Sequence, residues 1–149
     1  MKKTGLTLVE TIITVTIVGI LSGLIAYNFL SFGKNIEMQS GSADIISYLR
    51  LAQSKAMASF DDKNWGVHLE TDKIVLFTGS LYNSSDKTNQ IHRFSTGSTI
   101  SSIQLTPSGS SDIIFKKNSG ETDNFGTFSF TYQNSSKIIC IDKNGRITE

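Results

Sequence analysis

Thr11 to Gly33 is a run of 23 residues without a charge, and no other feature limits the fold so strongly. A helix needs about 20 mostly apolar residues to cross the hydrocarbon core of a bilayer, so this run is long enough to span. Lys2 and Lys3 precede it. The cytoplasmic bias of basic residues then keeps the N-terminus inside and exports the downstream chain. A cleaved secretory signal would need a shorter apolar run closed by small residues, whereas this one runs through Tyr27-Asn28-Phe29-Leu30. A plain signal anchor accounts for the apolar content but not for Glu10. A carboxylate in such a span costs on the order of 3 kcal/mol at a helix centre and less at the headgroup level.

The rest of the chain must build its own core. Apolar residues crowd the first 32 positions of 149, which leaves roughly 110 residues for a single small domain. The formal net charge is +1; loss of Lys2 and Lys3 would make it −1. Such a near-neutral chain lacks the strong basic balance of a dedicated nucleic-acid binder. Cys140 is the one cysteine, so no internal disulfide framework exists.

Lys2-Lys3-Thr4-Gly5, then Leu6-Thr7-Leu8-Val9-Glu10-Thr11, resembles the leader signature of type IV prepilins: a short basic leader ending in glycine, an apolar residue, then TLVE. The resemblance implies that a prepilin peptidase cuts between Gly5 and Leu6 and N-methylates Leu6. It also implies that Glu10 pairs with the N-terminal amine of a neighbouring subunit. A buried carboxylate and a buried ammonium are each costly alone and offset one another when paired. Many members carry a proline in the apolar helix; here the only proline is Pro107, and Gly19, Gly23 and Gly33 supply the flexible points.

Beyond the apolar run, Ile45, Leu49, Ala52, Ala56 and Phe60 recur at spacings of three and four, the stripe of a helix that buries one side. Ser40-Gly41-Ser42 marks a soft point or a break, with Ser42 as an N-cap. After Phe60 the period falls to two. Trp65, Val67 and Leu69 alternate with smaller or polar residues, as in a half-buried strand, and Thr71-Asp72 turns into a second strand at 73–78. Further strands are expected at 91–95, 99–105, 112–115, 127–132 and 137–141. Asp142-Lys143-Asn144-Gly145 signals a tight turn into 146–148. Leu49 to Ala56, the stretch from Phe115 to Gly120, Gly126-Thr127 and Asn144-Gly145-Arg146 are similar to the GspH/FimT type of minor pilin or pseudopilin.

No catalytic constellation is evident, and neither an enzymatic activity nor a cofactor is expected. His68 and His92 stand apart from any set of ligands at metal spacing, and Cys140 between Ile139 and Ile141 reads as a structural thiol. Asp61-Asp62-Lys63-Asn64 and Asp142-Lys143-Asn144 offer oxygen ligands for calcium, but turn chemistry explains both, so no metal is expected. Some FimT-type minor pilins bind DNA through a C-terminal Gly-Arg-x-Arg element. The corresponding residues here are Gly145-Arg146-Ile147-Thr148, with the second arginine missing. Lys137, Lys143 and Arg146 form the candidate patch, offset by Asp142 and Glu149.

The expected fold class is therefore α+β and pilin-like, with a long N-terminal transmembrane and amphipathic helix packed on antiparallel β-sheets. The divisions are a leader at 1–5, a transmembrane helix at 6–33, its amphipathic extension at 34–60 and an exported β-rich domain at 61–149. The expected function is that of a structural minor pilin or pseudopilin subunit in a type IV pilus or a type II secretion pseudopilus, for instance at its tip. The alternative is DNA capture in natural transformation. The expected partners are other pilin subunits, the prepilin peptidase, inner-membrane assembly machinery and membrane lipid, with DNA a minor candidate. The expected location is the bacterial inner membrane, with the N-terminus cytoplasmic, and then the filament.

Overall fold

The computed structural model describes residues 7–149, apart from the side chains of 25–32 and 34. Helical conformation runs over α1, Leu8–Met57, followed by a short 3-10 turn at Phe60–Asp62 and eight strands. These are β1 (Trp65–Leu69), β2 (Lys73–Thr78), β3 (Gln90–Arg93), β4 (Ser98–Leu105), β5 (Asp112–Phe115), β6 (Gly126–Tyr132), β7 (Ser135–Ile141) and β8 (Ile147–Thr148). The chain divides into two compact units, 1–36 and 37–149.

The expectation of a pilin-like fold led by one long transmembrane helix is not upheld. The described helical residues fall into two stretches, one of about 17 residues and one of about 23. Among the described residues no helix is long and apolar enough to cross a membrane. A span needs about 20 consecutive mostly apolar helical residues, and the described residues do not supply them together. The transmembrane assignment for 6–33, and the single-pass inner-membrane location built on it, are corrected accordingly.

In the second unit the helical residues up to Met57 bury a single stripe. Met38, Ser42, Ile45, Leu49, Ala52 and Ala56 are all buried, at alternating spacings of four and three. The helix runs through Ser40-Gly41-Ser42 without a break, and a Cβ on Gly41 would collide with the Phe130 ring. Glycine is there to let an aromatic ring approach the backbone. The Ser42 hydroxyl donates to the Gln39 carbonyl at 3.1 Å. The helix stops at Ser59, which takes a left-handed conformation (φ 51°).

The strands form two four-stranded antiparallel sheets, β3-β2-β1-β5 and β4-β6-β7-β8. Both turn one face to the helix. Val67, Ile74, Leu76, Ile113 and Phe115 from the first sheet join Ile100, Phe128, Phe130 and Ile139 from the second and the helix stripe in one core cluster. The strands lie where residue alternation places them, with ends shifted by one or two residues. A register shift between Ser101 and Gln104 bulges β4, with Ser102 at φ 51°.

Gln53 ties the helix to two loops. Its side-chain amide donates to the Gly120 carbonyl at 3.2 Å and to the Gly145 carbonyl at 2.9 Å. Gly145 sits at φ +76° and a Cβ there would strike the Gly120 carbonyl and the Gln53 amide. The Asn-Gly turn is thus required both by its backbone conformation and by close packing.

Candidate assembly surface

Among the described residues, the stretch 8–24 gathers most of the exposed large apolar side chains. Every large apolar residue from Leu8 to Leu24 is more than half exposed, from 52% at Ile17 to 76% at Leu8. Isolated exposed hydrophobes are ordinary, but a contiguous surface of them marks an interaction site. The helix hides its own polar groups. The hydroxyls of Thr11, Thr14, Thr16 and Ser22 donate to the carbonyls of Thr7, Glu10, Ile12 and Val18, one turn back, at 2.7–2.9 Å. What remains on the outside is almost wholly hydrocarbon, with open space around Gly19 and Gly23.

Glu10 has a local role that its place beside an apolar run does not disclose. Its backbone N–H donates to the Thr7 hydroxyl at 3.3 Å, which makes Thr7 the N-cap and Glu10 the third helical residue. Thr7-Leu8-Val9-Glu10 has the spacing of a capping box, and a carboxylate in the first turn also favours the helix dipole. That signature is readable in the sequence once the helix start is known. Among the described residues the Glu10 carboxylate has no ion-pair partner. Gly5 and Leu6, the expected processing pair, lie outside the described residues.

The three cations of the candidate DNA patch are only partly brought together. Lys137 points to the helix side of its sheet, where its ammonium pairs with Glu149 and donates to the Ser42 hydroxyl at 3.3 Å. Lys143 and Arg146 are exposed on the β7–β8 turn, which is closed by Gly145 N–H donating to the Asp142 carbonyl at 2.8 Å. Arg146 rims an open depression of about 540 Å³, floored by Thr127, Cys140 and Thr148, with Asp142 also on its wall.

His68, His92, Asp62 and Asp86 have partners within the fold. His68 Nδ1 lies 2.5 Å from Asp112 Oδ1, and His92 Nε2 lies 3.3 Å from Asp44 on the helix. Among the described residues no group of three or more His, Cys, Asp or Glu is placed to hold a metal ion. The Asp62 carboxylate takes the Lys117 ammonium at 2.6 Å, which holds it below its ordinary pKa of 3.8. Asp86 is likewise lowered, first by the Thr88 backbone N–H and then by the Thr88 hydroxyl.

No protein-family model, no curated protein and no solved structure matches this chain.

Proposed function

We propose that the chain is a structural subunit of a type IV pilin-like filament. Residues 37–149 form its compact body, and the helical residues 8–24 are the part that packs against other subunits. The carrying observation is the helix surface: a seventeen-residue stretch whose large apolar side chains all face outward, while its hydroxyls are satisfied internally. Burying such side chains is worth about 25 cal/mol per Å², and neighbouring copies of the same helix supply apolar cover all round. The residues before it support the same reading, since Lys2-Lys3-Thr4-Gly5 ahead of Leu6 has the form of a prepilin leader. Cleavage after Gly5 leaves a new amine close to the capped helix start at Thr7, within reach of carboxylates such as Glu10 on adjacent subunits. Electrostatic pairing there sets the stagger between subunits, and apolar contact supplies the affinity.

Intact-mass analysis of the chain from filaments sheared off its native host tests this reading. The expected result is a species that begins at Leu6 and carries an added methyl group. Chain that begins at Met1, or that never appears in sheared filaments, contradicts it. Gly5→Ala is expected to leave the leader in place.

A further inference from the structure

The first sheet buries residues on both faces. Ile74 and Leu76 of β2 point into the core cluster, so Val75 and Phe77 point the opposite way. Both are nonetheless buried, at 0% and 1% exposure. Strand pairing shows what surrounds them on that outer face: Val75 lies between His68 and Ile91, and Phe77 lies beside Gly66. Gly66 is a glycine for a reason, since a Cβ there would meet the Phe77 ring at 2.6 Å. The outer face thus carries a small apolar ledge of its own, separate from the core.

The connection between β2 and β3, residues 79–89, places the Tyr82 ring against this ledge. Tyr82 stacks on His68 with centroids 3.9 Å apart and planes 13° from parallel, and it meets Phe77 edge-on at 5.6 Å. His68 is held from the other side by Asp112 at 2.5 Å. At its start the segment is tied to Asn64, whose carbonyl accepts from Gly79 N–H at 2.8 Å and whose amide donates to the Ser80 hydroxyl at 3.0 Å; beyond Tyr82 it is bonded largely to itself. Asn83 Oδ1 accepts from Ser85 N–H, Asp86 Oδ1 accepts from Thr88 N–H, and the Asn89 amide donates to the Asn83 carbonyl. Leu81, next to the stacking ring, is 79% exposed.

We propose that residues 79–89 form a hinged strap that opens as a unit and uncovers the Val75–Phe77 ledge, with the Tyr82–His68 stack as its latch. Two features fit motion as one piece. Gly79 provides the hinge: it sits at φ +107° with no atom within 4 Å of where its Cβ would be. The closed strap also buries an acceptor without a partner, Asn89 Oδ1, a cost that opening relieves by admitting water. The strap's internal bonds survive opening; the latch does not. Local opening of this kind is drawn from the least stable parts of a fold.

Thiol reactivity in the full chain with Cys140→Ser tests the strap. A cysteine placed by Val75→Cys reports on the ledge, and one placed by Val67→Cys reports on the core, since Val67 is equally buried but lies on the inner face. Adding Tyr82→Ala is expected to speed labelling of the ledge cysteine about tenfold, the scale of one aromatic pair, and to leave the core cysteine unchanged. Tyr82→Phe is expected to keep the slow rate, because the ring is the latch. The proposal is overturned if the ledge cysteine labels no faster without Tyr82, or if the core cysteine accelerates by the same factor, which would mean general loosening. It is also overturned if Tyr82→Phe matches Tyr82→Ala.

Discussion

The helix at 8–24 and the helical residues that cross the second unit share backbone conformation and differ in how their apolar residues are treated. From Met38 to Ala56 one stripe is buried against both sheets, and the remaining faces are polar or half-buried apart from the exposed Leu51. From Leu8 to Leu24 the large apolar residues are exposed all round. Periodicity of one face signals burial within the same chain, whereas apolar residues on every face call for cover from elsewhere. Glycine shows the same contrast. Gly41 exists because Phe130 presses on it, while among the described residues a Cβ on Gly19 or Gly23 would meet nothing within 4 Å.

Substitutions break or sharpen this contrast, and the largest effect belongs to the core. Phe130→Ala removes a fully buried ring and is expected to cost about 3–5 kcal/mol of unfolding free energy. Denaturant titration followed through Trp65, the one tryptophan, measures it. Ile17→Ala in the other region is expected to move the same transition by less than about 0.5 kcal/mol. Gly41→Ala comes next, with an expected loss of about 1–3 kcal/mol from overpacking against Phe130. Gly23→Ala is expected to act in the opposite direction and raise helix stability by up to about 1 kcal/mol, read by circular dichroism. Gln53→Ala leaves the Gly120 and Gly145 carbonyls without their donor and is expected to cost about 1–3 kcal/mol.

The smallest effect is at an exposed pair. Lys117 lowers the pKa of Asp62, so the folded state favours the charged carboxylate. That contribution is present above the ordinary value of 3.8 and disappears as pH falls through the lowered folded value. Lys117→Met is expected to flatten this part of the stability–pH curve slightly, without changing its shape at higher pH.

The strands are legible in the sequence because alternation and turn residues agree. Trp65, Val67 and Leu69 alternate, as do Phe128 and Phe130, and Asn144-Gly145 closes a turn that demands positive φ. The features that are not legible involve residues far apart in sequence. Gly41 reads as a helix breaker until Phe130 is placed against it. Lys137 reads as a free surface cation until Ser42 and Glu149 are seen beside it. The transmembrane expectation rested on an uncharged run, whereas among the described residues no helix is long and apolar enough to cross a membrane. Glu10 stands out in the sequence for an intermolecular role, whereas its capping position with Thr7 emerges only when the helix start is placed, although the four-residue signature is in plain view.

Sedimentation of the full chain against a variant carrying Ile13→Asp and Ile17→Asp tests the central claim most directly. Discrete assemblies of many copies for the parent chain, reduced to single copies in the variant with the Trp65 unfolding transition unchanged, are the predicted result. A parent chain that sediments as a single copy, or a variant that assembles as well as the parent, would contradict it.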